Sequence, residues 1–250
     1  MAILYVASES FELEPLAAML TNLRKLKWPI DYAFEGIWDG RRIMLAANGA
    51  GPQLAARAVE VAIRAVTAAE LSASKLEAVV STGLCGALVP TLPVGQVLVA
   101  TKVLNLQTRE TFECSPLFAT PDAPSGVIVT QNRIANDSAE KRNLAALEAV
   151  AVDMEAAGVA ARARRAGLPF SCIKVVSDAL EESFDLDLNT MRTTEGRISR
   201  GKISLYAATH PKLIPGLLRL KRRTQDAAKT LGEFIVSCRI SSEPDNANSQ

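Results

Sequence analysis

Short apolar runs alternate along this chain with segments whose apolar residues recur three and four positions apart. Ile3 to Ala7 is a continuous apolar run and reads as a buried strand. From about Phe11 to Leu26, Leu13, Leu16, Met19, Leu20 and Leu23 fall on one face, which predicts a helix with Pro15 confined to its start. Tyr32 to Ile37 and Arg42 to Ala47 form a predicted hairpin turning at Asp39-Gly40. Asn48-Gly49-Ala50-Gly51-Pro52 joins a strand to an Ala-rich helix, Gln53 to Ala73, with Pro52 suited to its first position. Leu76 to Ser81 is a further strand, ending in a glycine loop, Thr82 to Ala87. Val94 to Val103 is apolar again, and Leu104 to Gly126 reads as a long irregular loop, a candidate lid or binding loop.

Val127 to Thr130 is a short strand, and Asp137 to Leu147 a helix capped by Asp137 or Ser138. Val150 to Val152 is apolar, and from Met154 the chain becomes Ala-rich and helical until Gly167-Leu168-Pro169. Phe170 to Val176 reads as a buried strand. Ala179 to Thr194 is mixed and acidic. Gly196 to Ala208 and Leu213 to Cys238 are predicted helices, and Ser241 to Gln250 a polar, frayed or disordered tail. Strands alternating with helices, without a linker or repeat, predict one α/β domain over residues 1–240. It would be a three-layer α/β/α structure around a central mixed, largely parallel sheet.

Composition narrows the function. With 28 basic and 27 acidic residues, the net charge of +1 argues against a general nucleic-acid surface. The four cysteines are scattered without metal-ligand spacing and read as reduced thiols in a cytoplasmic protein. His210 is the only histidine, too little for a zinc site or a serine triad. The apolar run at Ala2 to Ala7 is too short for a signal peptide or a membrane span, and no membrane association is expected.

Two carboxylates stand where apolar segments end. Glu155 is placed in the first turn of a helix, and Asp178 just past the C-terminal end of a strand. Ligands of open α/β sheets collect outside those strand ends, so the pair could serve acid/base or glycosidic chemistry. Each also has a plainer reading: Glu155 complements a helix dipole, and Ser177-Asp178 caps a turn.

Three motifs taken in order tip the choice: Ser81-Thr82-Gly83-Leu84-Cys85-Gly86-Ala87 with Pro93-Val94-Gly95-Gln96-Val97, then Val152-Asp153-Met154-Glu155, then Val176-Ser177-Asp178. Together they resemble the nucleoside phosphorylase and nucleosidase superfamily, which includes methylthioadenosine/S-adenosylhomocysteine nucleosidases, purine and uridine phosphorylases and futalosine hydrolase. Asn48 to Pro52 and Asp137 to Leu147 look most like a bacterial branch near the nucleosidases and the hopanoid-associated phosphorylase-like proteins.

The resemblance implies cleavage of the N-glycosidic bond of a purine nucleoside or a 5′-modified nucleoside, by water in preference to phosphate. A phosphorylase, with phosphate as co-substrate, and a non-catalytic nucleoside-binding relative are the alternatives. No other cofactor and no metal is implied. Asp178 would protonate the leaving base. Glu155 would accept hydrogen bonds from ribose hydroxyls, with Met154 packed on the sugar and Phe170 beside the base. Gly86 and Ser177 would complete the nucleoside site. Glu12 would position or activate water, with Glu9 or Glu14 as alternatives in register and a solvated helix face as its plainer reading. The chain departs from the family at Leu84, where the nucleosidases carry serine. Lys174 stands for an arginine, and Leu188 for an aromatic. Arg57 and Arg109 are the available candidates for phosphate contacts. A homodimer is implied, with the apolar residues of the Leu104 to Gly126 loop at or near its interface.

Overall fold

The computed structural model describes residues 2–68, 75–119, 123–184, 186–193, 197 and 199–240. In chain order the elements of the first half are β1 (Ala2–Ala7), α1 (Ser10–Ala17), β2 (Thr21–Lys25), β3 (Tyr32–Trp38), β4 (Arg41–Ala47), α2 (Pro52–Ala68), β5 (Leu76–Ser81), β6 (Leu84–Ala87) and β7 (Val97–Asn105). There follow β8 (Thr111–Glu113), β9 (Phe118–Ala119), β10 (Ser125–Thr130), α3 (Ser138–Ala145), β11 (Ala149–Asp153), α4 (Ala156–Arg165), β12 (Phe170–Asp178), α5 (Arg200–Thr209), α6 (Ile214–Ser237) and β13 (Arg239–Ile240).

The alternation of β1 explains the layering. Ala2, Leu4 and Val6 pack with Ala55, Ala58 and Val59 of α2 and Val159 and Ala163 of α4. Ile3, Tyr5 and Ala7 face the other way, onto Leu13 and Leu16 of α1 and Ala227, Leu231 and Ile235 of α6. A strand whose two faces are both apolar must be covered on both sides, and here a helix pair covers each. The α2 and α4 helices approach so closely that a Cβ on Gly158 would lie 1.9 Å from the Pro52 carbonyl oxygen.

The main sheet runs β2-β3-β4-β1-β5-β12-β6-β11-β10-β7-β8, parallel from β4 through β6 and again from β11 through β7, and antiparallel across β2-β3-β4, at β6-β11 and at β7-β8. Strand β12 also pairs antiparallel with β7, through Ile173, Lys174 and Val175. That pairing closes β12, β6, β11, β10 and β7 into a ring. β12 is buried along its whole length. The ring brings the C-terminal ends of β12 and β11 together with β6, where the carboxylates gather.

Several elements differ from the sequence expectation. The helix predicted to Leu26 stops at Ala17, and Thr21–Lys25 is instead an edge strand on β3. Asn22 has φ 53°, a left-handed conformation that no right-handed helix accommodates. All five residues of β2 are exposed, so Leu23 buries no helical face. The glycine loop predicted over Thr82 to Ala87 contains β6, because Val175 and Val176 of β12 offer that segment a ladder partner. The Leu104 to Gly126 loop contains β8 and β9, and β8 pairs with β7. Asp39 and Gly40 both have positive φ, as a two-residue hairpin turn requires, and Asp137 caps α3 by accepting from Glu140 N. The predicted end of the second helix at Ala73 and the tail from Ser241 lie outside the described residues.

Candidate active site

Asp178 is the last residue of β12, one position inside the strand end expected for it. Its carboxylate is nearly buried. Ser177 Oγ lies 2.6 Å from Oδ1, and Lys141 Nζ of α3 lies 2.6 Å from Oδ2. A Cβ on Gly86 would lie 2.9 Å from the same Oδ2, so glycine there is what lets β6 run past the acid.

Glu155 stands at the N-cap of α4 rather than in its first turn. Asp153, two residues earlier, performs the capping: its Oδ2 accepts from Glu155 N at 3.2 Å and Ala156 N at 2.8 Å. Asp153 Oδ2 also pairs with Lys174 Nζ at 2.8 Å, and Oδ1 accepts from Thr130 Oγ1 at 2.5 Å. Lys174 has no exposed surface and donates to Thr82 O at 2.9 Å, with Glu155 Oε2 3.9 Å away. Burial acts to lower the Lys174 pKa, but the adjacent Asp153 and Glu155 more than offset it and hold the ammonium charged. Because Asp153 satisfies both the cap and the lysine, Glu155 keeps one oxygen for Gly51 N, at 3.0 Å, and the other near Lys174. Burial pushes its pKa up to about 8; Lys174 opposes the shift, while Asp153 and Glu12 add to it.

Glu12 lies on the first turn of α1 and is buried. Its Oε2 accepts from Ser8 N at 2.9 Å, Ser8 Oγ at 2.8 Å and Glu9 N at 2.8 Å, and Oε1 accepts from Leu84 N at 3.0 Å. The carboxylate thus joins the end of β1 and the start of α1 to β6. Gly83, at φ 109°, makes room for it: a Cβ there would lie 2.9 Å from Glu12 Oε1. The plainer reading of Glu12 as part of a solvated helix face does not hold.

These groups share one cavity of about 720 Å³, whose wall includes Glu12, Met154, Glu155, Gly86, Ser177 and Asp178. Of the residues expected to contact the nucleoside, Phe170 is elsewhere. It is at the opposite end of β12, paired with Val79 and packed in the core, so it cannot lie beside a base. The aromatic ring on the cavity near Asp178 is Phe184, which follows β12 and was given no role from sequence. Leu188 is also on the wall, and Leu84 contributes its backbone N–H in place of a serine hydroxyl. Arg57 and Arg109 are exposed and do not line the cavity. The arginines brought to the Asn48–Gly51 loop are Arg192, near Ala50 O, and Arg197, near Asn48 Oδ1. Asp153, Lys141 and Phe184 are the residues that sequence reasoning missed. Asp153 had a signal, an acidic residue at the strand-to-helix boundary; a lysine in the polar run Ser138 to Asn143 had none. Among the described residues, no group of three or more His, Cys, Asp or Glu is placed to hold a metal ion, and no helix is long and apolar enough to cross a membrane.

The structure is similar to that of a 5′-methylthioadenosine/S-adenosylhomocysteine nucleosidase from Helicobacter pylori, with a TM-score of 0.69 at 17% identity, covering 95% of this chain and 97% of that one. The corresponding nucleosidase from Neisseria meningitidis gives 0.65 at 23% identity, over 94% and 99% of the two chains. Futalosine hydrolase of Helicobacter pylori gives 0.68 at 16% identity, over 95% and 96%. At these identities the likeness establishes the fold. No curated protein matches the sequence. The sequence profile of the Phosphorylase superfamily, however, matches residues 2–125 and 119–200, which hold the described strands β1 to β12 and the cavity residues Glu12, Glu155 and Asp178, and the chain belongs to that superfamily.

Proposed function

We propose that this protein hydrolyses the N-glycosidic bond of a purine nucleoside or a 5′-modified purine nucleoside. The observation that carries this reading is the convergence of Asp178, Glu155 and Glu12 on one cavity at the strand ends. Breaking the bond leaves an oxocarbenium-like sugar and a base that departs poorly as an anion. Asp178 protonates the base, Glu155 binds the ribose hydroxyls and in its ionised form stabilises the developing positive charge, and Glu12 orients and deprotonates the attacking water. Phe184 takes the place beside the base that the resemblance assigned to Phe170, and Met154 contacts the sugar.

Hydrolysis is favoured over phosphorolysis by Glu12. The N–H groups of Ser8, Glu9 and Leu84 and the Ser8 hydroxyl form a cradle of donors of the kind that binds anions at a helix N-terminus. The chain's own carboxylate already fills it. A phosphate placed there would have to displace four hydrogen bonds and meet a like charge. Methylthioadenosine, S-adenosylhomocysteine and futalosine, the substrates named by the similar structures, form the first panel to test. Base release in phosphate-free buffer, with free sugar as the second product, is expected. A strict requirement for phosphate, with a sugar 1-phosphate formed, would replace this reading by phosphorolysis. Binding without base release would leave a nucleoside-binding relative.

The homodimer is part of the same proposal, supported by the resemblance alone. Phe112 is buried in its own chain's core, and Leu104, Leu106 and Leu117 pack against other core clusters, so the 104–126 loop supplies no argument for a contact.

A further inference from the structure

Lys141 lies on a polar helix, α3, yet its side chain has no exposed surface. Three acceptors surround Nζ: Asp178 Oδ2 at 2.6 Å, Ala179 O at 2.7 Å and Glu182 O at 3.1 Å. They take up the three N–H groups of an ammonium ion. The Phe184 ring lies beside it, with Nζ 5.8 Å from the centroid. Other charged or titratable groups turn elsewhere or lie further off. Glu182 directs its carboxylate to Ala179 N and to Arg223 of α6. Glu140 of α3 turns to Gln131 and Arg133. Cys85 of β6 is a thiol whose pKa burial raises, with Lys174 opposing and Asp178 adding. Asp178 thus faces the Lys141 amine across 2.6 Å, and a general acid must carry a proton.

The surrounding network has a satisfied arrangement for either form. Ser177 Oγ lies 2.6 Å from Asp178 Oδ1 and 3.1 Å from Cys85 O. A hydroxyl has one proton, so beside an ionised Asp178 it can donate to only one of them. When the proton moves from Nζ to Oδ2, the carboxylic acid donates back to the amine lone pair, the amine keeps its bonds to Ala179 O and Glu182 O, and the Ser177 hydroxyl stays beside Oδ1. Lys141 is already out of solvent, and a base entering the cavity covers the exposed remainder of Asp178; full burial disfavours two separated charges relative to a neutral amine and a carboxylic acid.

We propose that Lys141 is the proton reservoir of Asp178: when the nucleoside closes off the pair, the proton of the Lys141 ammonium passes to Asp178, which delivers it to the leaving base. The inference rests on the reading of Asp178 as the acid. Lys141 touches no substrate and acts as a positioning residue that also supplies the proton. As the C–N bond breaks, its electron pair goes to the base nitrogen, which takes the proton from Asp178. The water oxygen bonds to the sugar carbon and loses a proton, which returns through solvent to the Lys141 amine. No other reactant is needed.

The test is the pH dependence of kcat for the full chain and its variants on methylthioadenosine, S-adenosylhomocysteine and futalosine. The wild type is expected to hold kcat level from about pH 6 to about pH 9, because Asp178 takes its proton from Lys141 rather than from solvent. Lys141→Met keeps Asp178 but removes the reservoir. Its kcat should fall about tenfold per pH unit above the ionisation of Asp178 alone, with KM changed less. Lys141→Arg keeps a charge that does not dissociate, and about a tenfold or greater loss of kcat is expected with the thermal transition retained. A wild-type kcat that already declines from the carboxylate range overturns the proposal. So does a Lys141→Met profile that matches the wild type, or whose alkaline fall moves to higher pH, as a mere counter-charge would give. If Lys141→Met does not fold, the wild-type profile and Lys141→Arg decide. Asp178→Asn separates the two readings. Retained turnover in that variant defeats the reading of Asp178 as the acid, on which the reservoir rests, and no turnover of the panel by the wild type defeats the nucleosidase reading itself. An inactive Asp178→Asn beside Lys141 variants that behave as wild type defeats only the reservoir.

Discussion

At the scale of single residues, the site is a set of buried charges, each held by a partner that is not its reaction partner. Asp153 is the clearest case, since one carboxylate caps α4 and holds Lys174, and so leaves Glu155 directed into the cavity. Two predictions follow from this division of labour. Asp178→Asn should fold and lose about 10²–10⁴ in turnover, because an amide has no acidic proton to give a departing base; near-wild-type base release would remove Asp178 from the mechanism. The second concerns Glu155. Burial raises its pKa to about 8 in the folded chain, so the native state holds a proton that the unfolded state releases in the ordinary carboxylate range. Unfolded chains then bind fewer protons, and stability falls as pH rises from that range through about 8. Glu155→Gln removes this dependence. Its thermal midpoint should gain on the wild type between about pH 5 and pH 9, while ribose binding and turnover both weaken. A midpoint difference that does not vary with pH would mean that Glu155 is already ionised when folded.

At the scale of elements, legibility depended on whether local pattern or tertiary pairing decided the structure. β1, β5 and β12 were readable because a strand buried on both faces is a continuous apolar run. The Thr21–Lys25 strand was not, because Met19, Leu20 and Leu23 continue a helical spacing by coincidence and only pairing with β3 sets the backbone. β6 was hidden for a related reason: Gly83 and Gly86 look like a loop, but they are glycines because Glu12 and Asp178 occupy the space a Cβ would need. The cavity residues on strand ends could be named in advance. Lys141 and Phe184 could not, since the ring closure that brings α3 and the segment after β12 together is set by long-range pairing. Helix α1 yields a prediction at this scale. Glu12 accepts the N–H of Glu9 at its N-terminus and the N–H of Leu84 across the sheet, so Glu12→Gln should cost about 1 kcal/mol of stability and also about 10² or more in turnover. Chemical denaturation and steady-state kinetics read the two effects separately. Loss of stability with full activity would make Glu12 a structural cap alone. For α2 and α4, Gly158→Ala must separate the helices, because the added carbon would overlap the Pro52 carbonyl; a destabilisation of about 1–3 kcal/mol is expected, and an unchanged thermal midpoint would contradict the close approach.

At the scale of the whole molecule, the question is what covers the apolar residues that the fold leaves outside. The described residues place Leu205 and Tyr206 on α5 and Ile214 and Leu218 on α6 in exposed positions, with Leu205 72% and Leu218 61% exposed. Leu218 and its neighbour Leu217 also form part of the cavity wall, so one of these exposed residues lies on the rim of the proposed active site. Scattered exposed leucines need no explanation; Leu218 is singled out because it lies on the cavity wall. The resemblance supplies a second copy as the cover, and closed two-fold dimers are the commonest homo-oligomers. If the second copy covers α5 and α6, light scattering at micromolar concentration should give twice the mass of one chain, and turnover per chain should fall on dilution as the rim is uncovered. Leu218→Asp should shift both toward the monomer while the thermal transition persists. A monomeric mass for the wild type, with turnover independent of dilution, would mean that one chain closes its own cavity and that the homodimer is not part of how this protein works.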